Sequence, residues 1–222
     1  MRESTLNMIK SGKPTSERIL DAAEELFAEM GYDATSLGDI ADIVGIRCPG
    51  IYKHFKNKQS LYEAVLGRLF DPFCQNLLQN VTDVRELAAA PALVRTVVET
   101  FIRKPNIARL VQHATLAGGE QVELLVDRWY RPLFDAVRKE LHLTNVDLNL
   151  LPVELPYILM AFNNMILGYV TLAPLHAKAF DIDTNNDAAI ENQITMIGMF
   201  MKGLIMESVA KAKANKGAAA QG

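Results

Sequence analysis

Arg47, Lys53, Lys56 and Lys58 stand within residues 46–60, a stretch that contains no acid and also carries Tyr52 and His54. Guanidinium, ammonium, phenol and imidazole groups set close together are donors for phosphate oxygens and for the edges of bases. The chain as a whole, at −3, disfavours a polyanionic partner, but its charge is unevenly placed. Residues 1–14 carry +2, residues 15–45 carry −7 with Arg18 as their one base, and residues 46–60 carry +4. Local patches rather than totals make an electrostatic footprint. A basic run by itself is more often a solvated helix face, so the elements around it must decide.

Other chemistries lack their constellations. His113, His142 and His176 have no carboxylate or cysteine neighbour at ligand spacing, and Gly118-Gly119 reads as a helix break rather than a phosphate-cradling loop. The two cysteines, Cys48 and Cys74, make neither a disulfide framework nor a zinc spacing. A thiol near a helix start is acidified, but Cys48 has no resolving partner beside it in sequence. No catalytic residue, metal or cofactor is expected.

The basic run must be held by helices, because period 3.6 recurs throughout and alternation of period two is never sustained. With 222 residues, half of them hydrophobic, the composition is that of a globular all-α protein. A first helix follows Pro14 and Thr15, burying Ile19, Ala22, Ala23, Leu26, Phe27 and Met30, and Gly31 stops it. Ser36 opens a short second helix that buries Leu37, Ile40, Ala41 and Val44 and ends at Gly45. A third short helix starts near Arg47–Pro49 and buries Ile51, Tyr52 and Phe55; proline is tolerated early because first-turn amides have no partner to lose. A long fourth helix opens at Asn57-Lys58. Longer helices are expected near 84–103, 105–117, 120–141, 152–173 and 187–211, followed by a fraying tail.

Two short helices joined by a glycine turn, the second one basic, form a helix-turn-helix pattern; the first braces on the backbone and the second enters the major groove. With the buried residues removed, Arg47, Cys48, Gly50, Lys53 and His54 remain to face DNA. The run RILDAAEELFAEMGYDATSLGDIADIVGIRCPGIYKHFKNKQSLYEAVL, from Arg18, resembles the DNA-binding domain of the TetR family of bacterial transcription regulators. The resemblance implies phosphate contacts from Thr35, Ser36, Tyr52, His54 and Lys58, with Arg47, Cys48 and Gly50 nearest base edges. Arg47 stands where that family often has a capping serine, and Cys48 where it has a basic or polar residue. The loss of a side-chain cap costs about 1 kcal/mol, and a cation at a helix start opposes the helix dipole.

The expected organisation is a helix-turn-helix domain over 1–60, with a flexible arm 1–14, joined by the long helix to a helical effector-binding and dimerisation domain over 61–222. Two helices are too apolar for one partner. The last bears the stripe Ile190, Ile194, Ile197, Met201 and Leu204, with Met196, Met199, Phe200 and Gly203 on another side. From Leu151 to Leu175 the only charge is Glu154, but Pro152, Pro156, Pro174 and Asn163-Asn164 argue for a core or interface helix rather than a membrane span. Ile166, Tyr169, Ile194, Ile197, Met201 and Leu204 are the expected homodimer contacts. His113, Trp129, Tyr130, Phe134, Met160, Asn163 and Asn164 are candidate linings of a largely apolar effector pocket. The reading is a cytoplasmic, homodimeric repressor of a palindromic operator, released by a small effector. The alternative is an all-helical protein-interaction module without sequence-specific DNA binding.

Overall fold

The computed structural model describes residues 12–83, 90–143 and 155–219, and among these there is no strand. Most of the arm 1–14, the expected helix start at 84 and that at 152 lie outside the described residues. Helix α1 runs Thr15–Ala34, α2 Leu37–Val44, α3 Cys48–Tyr52, α4 Lys58–Asp83, α5 Ala90–Arg103 and α6 Pro105–Ala117. Then come α7 Glu120–Leu125, a π-helical turn Val126–Tyr130, α8 Arg131–Leu143, α9 Leu155–Phe180 and α10 Asp187–Ala219. The last helix therefore continues past 211, through an Ala- and Lys-rich segment of good helix formers.

Packing divides the chain into two units. One holds the described residues up to Cys74 together with Asn106–Arg131; the other holds Gln75–Pro105 and the described residues from Pro132. The sequence places the division at residue 60, between a helix-turn-helix DNA-binding domain and a helical effector-binding and dimerisation domain, and that division is carried below as a proposal.

The first unit is built on the apolar stripe of α1. Ile19, Ala22, Ala23, Leu26 and Phe27 are buried, and they meet Ile40, Ala41 and Val44 of α2, Ile51 of α3, and Leu61, Tyr62, Val65 and Leu66 of α4. Phe27 and Tyr62 stand edge to face at 5.1 Å, and Tyr32 adds a third ring 5.0 Å from Tyr62. Burial, with Tyr32 beside it, pushes the Tyr62 phenol up to about 12. Met30, expected in this stripe, is instead 39% exposed. Gly31 directly after it holds φ 82° and ψ 174°, which breaks the helix there and turns Tyr32–Ala34 aside.

In the second unit α5 packs against α10 and α9, burying Val94, Val97, Val98 and Phe101 against a core that includes Ile158, Ile166, Ile190 and Ile197. The guanidinium of Arg95 donates two bonds to Glu191, at 2.6 and 2.8 Å, a bidentate tie between α5 and α10. Tyr169 donates its hydroxyl to the Thr184 carbonyl at 2.7 Å, closing the α9–α10 turn. Ile166 and Ile197 had been expected to contact a second copy; both are buried inside their own chain, because they fall on the faces turned toward the rest of their unit.

Helix α9 is long and apolar enough to cross a membrane, yet only 28% of its most apolar stretch is buried. It packs on one side and leaves Tyr157, Met160, Leu172 and Leu175 exposed at helical spacing. On α10 the uncovered face is Met196, Met199, Phe200 and Met206.

Candidate nucleic-acid interface

The turn between α2 and α3 fixes everything downstream of it. Ser36 caps α2: Asp39 N–H donates to its Oγ at 3.1 Å, while the Ser36 N–H and hydroxyl donate to the Asp39 carboxylate at 3.0 and 2.6 Å. These bonds hold the Asp39 carboxyl below its ordinary range. At the other end Gly45 adopts the left-handed conformation (φ 75°, ψ 37°). Gly45 N–H reaches the Asp42 carbonyl at 3.2 Å and Ile46 N–H the Ala41 carbonyl at 3.0 Å, the paired closure of a Schellman turn. Arg18 adds its guanidinium to the Val44 carbonyl, tying α1 to the end of α2.

Helix α3 is thereby carried on a rigid base, with Ile51 fully buried beneath it. Pro49 lies in its first turn, and Arg47, the residue before the helix, makes no side-chain cap. Arg47, Lys53, His54 and Lys56 are exposed, Tyr52 is 56% exposed, and Cys48 is half-buried. Tyr52, expected partly in the core, thus leaves its ring and hydroxyl to solvent. Gly50 serves the packing: a Cβ there would stand 3.3 Å from Ile46 Cδ1, so a bare backbone lets the turn lie close against α3.

Two expected phosphate contacts take other positions. Thr35 is buried, with its hydroxyl donating inward to the Gly31 carbonyl at 2.8 Å and the Leu26 carbonyl 3.2 Å away. Its side chain splints the kink of α1, so the expectation that it touches phosphate is corrected. Lys58, the first residue of α4, points its ammonium at the Asp33 carbonyl (3.3 Å) and over the Tyr32 ring (4.3 Å), anchoring α4 to the end of α1. An ammonium has three donors, so these contacts leave it able to meet an anion as well.

Sequence reasoning missed the clamp behind the motif. Arg68 of α4 pairs with Asp21 at 2.7 Å and with Glu24, both on one side of α1. Asn106 donates to Glu24 at 3.1 Å and Glu25 at 3.2 Å. The acids at 21 and 24, three apart, were the available signal. The thiol of Cys74 is pushed up to about 11 by burial and by Asp71, which keeps it protonated.

The candidate pocket residues fall in both units. In the first, His113 packs its ring against Gly31, Trp129 is buried, and Tyr130 is half-buried. In the second, Phe134 and Asn163 are half-buried while Met160 and Asn164 are exposed. The His142 side chain lies outside the described residues.

This geometry, a capped helix, a glycine turn and a cation-bearing helix on a buried base, defines a helix-turn-helix protein. Residues 19–65 match the family model of "Bacterial regulatory proteins, tetR family". Residues 19–65 therefore resemble the DNA-binding domain of that family. It is 34% identical over 134 residues to the HTH-type transcriptional activator FasR of Mycolicibacterium smegmatis, covering 52% of this chain and 61% of that protein. It is 46% identical over 54 residues to the HTH-type transcriptional repressor ComR of Escherichia coli, covering 24% of this chain and 26% of that one. The chain thus spans less than two thirds of these curated relatives. The fatty acid degradation regulator FadR of Bacillus halodurans has the same fold, with a TM-score of 0.59 at 17% identity over 81% of this chain and 96% of that one.

Proposed function

We propose that the protein is a cytoplasmic, homodimeric repressor that binds a near-palindromic operator through α3 and releases it when a small, largely apolar effector binds beyond residue 60. The observation that carries this reading is the exposed set Arg47, Tyr52, Lys53 and His54, held on a base in which Ile51, Val44 and Ile40 are buried. Arg47 and Lys53 supply charge-assisted bonds to phosphate or guanine, Tyr52 and His54 bond to phosphate, and Cys48 and Gly50 let the helix approach base edges. Ser36 lies exposed at the start of α2, and Lys58, half-buried, stands at the amino end of α4, where the helix dipole also favours an anion.

Dimerisation uses the uncovered faces of α9 and α10. Two such helices and their symmetry mates make a four-helix contact. Tyr169, Ile194, Met201 and Leu204, half-buried, border it. A pair of recognition helices about 34–36 Å apart then meets successive major grooves. Because the grooves fix that separation, an effector that shifts it weakens binding, and DNA must weaken effector binding by the same factor. Phe134 and Asn163 keep the partial exposure that lining a pocket requires. The test is selection of bound genomic fragments by the purified protein. An inverted repeat shared among them supports the reading, and failure to enrich any fragment overturns it.

A further inference from the structure

Helix α10 sorts its apolar residues by chemistry. Ile190 and Ile197, on the side turned into the unit, are buried. Met196, Met199 and Met206, on the uncovered side, are between 62% and 65% exposed. At 100° per residue these three fall within an arc of about 80°, a single stripe about three turns long. Of the chain's nine methionines, six stand on α9 and α10, so sulfur is concentrated on these two elements.

Leucine would serve helix formation and burial as well as methionine does. What the thioether adds is a sulfur lone pair open to oxidation. The sulfur attacks the terminal oxygen of a hydroperoxide, an S–O bond forms and the O–O bond breaks. Sulfur is oxidised by two electrons and the peroxide is reduced, its hydroxyl proton passing to the departing oxygen to give an alcohol or water. No acid, base or metal of the protein is needed, only access, and the three exposed side chains have it. The product, a sulfoxide, is polar where the thioether was apolar.

We propose that Met196, Met199 and Met206 are a modification site for hydroperoxides, and that their sulfoxides hold two copies of the chain apart. The second half rests on the dimer reading above. In a contact between copies related by twofold symmetry, every modified position occurs on both sides. Each sulfoxide oxygen buried there without a donor opposes association. The stripe is open to the oxidant whenever two copies are apart, and oxidation then prevents their return. Methionine sulfoxide reductases restore the thioether, so the change is reversible.

The test treats the full chain with hydrogen peroxide, as wild type and as the triple variant Met196→Leu, Met199→Leu, Met206→Leu. Dithiothreitol follows in every sample; it returns reversibly oxidised Cys48 and Cys74 to thiols and leaves sulfoxides in place. Peptide mass mapping locates the added oxygens, and sedimentation and affinity for a selected genomic duplex read the consequence. The wild type is expected to gain oxygen at all three positions and to dimerise about tenfold more weakly or worse. Its duplex binding falls in parallel, and methionine sulfoxide reductases restore both. The leucine variant, changed only at exposed positions with helix propensity kept, folds and withstands the treatment. Three sulfoxides with an unchanged dimer, a loss that the reductases do not reverse, or a leucine variant as sensitive as the wild type overturns the inference. Oxygen found at Met30 and not on α10 does the same. An untreated wild type that is monomeric overturns the dimer reading instead, and the mass map still decides the modification site.

Discussion

Arg47 sits at the N-cap of α3, where its side chain satisfies no backbone amide. A serine there would accept one, worth about 1 kcal/mol, and would remove a cation from the positive helix end. An uncapped, cationic start is locally unfavourable, and in the function proposed above a contact with DNA offsets it. Arg47→Ser should therefore weaken operator binding by about 1–3 kcal/mol while the melting temperature stays equal or rises. Unchanged affinity in a quantitative gel shift would rule out the role. The exposure of Arg47, Lys53 and His54 was legible in the sequence, because removing the apolar positions of a short helix leaves its outer face. The inward turn of Thr35 was not. Its acceptors, the carbonyls of Leu26 and Gly31, converge only once α1 kinks.

Among the elements, α1 shows how a turn residue and a tertiary contact combine. Gly31 holds φ 82° and ψ 174°, a region essentially reserved for glycine, and a Cβ there would stand 3.0 Å from His113 Nδ1 of α6. Gly31→Ala is expected to destabilise the first unit by about 1–3 kcal/mol, read as a lowered midpoint in thermal or urea unfolding; a wild-type midpoint would show that the backbone relaxes without cost. Helix type and order followed from the apolar spacing, from Ser36 and from the glycines at 31 and 45. The π turn did not, since its cause, Pro132, reads in sequence only as an early helix residue. Nor did the grouping of α6 with α1, which depends on side chains far apart in the chain, such as Asn106 with Glu24 and Glu25.

For the whole molecule the open question is how two recognition helices reach one duplex. The apolar stripes of α9 and α10 were legible, but which stripe stays uncovered depended on where α5 packs. Ile190 and Ile197 face inward, and Met196, Met199 and Phe200 face out. Met199→Lys, at a residue 65% exposed in the single chain, should leave helicity intact. It should shift the species seen by sedimentation from dimer to monomer and weaken operator binding in parallel. A dimer of unchanged affinity would place the contact elsewhere. The most direct test of the account is the salt dependence of binding to a selected genomic duplex. With Arg47, Lys53 and Lys58 from each of two copies on phosphate, affinity should fall by about a thousandfold between about 50 and 200 mM salt. An affinity that stays flat across that range would contradict it.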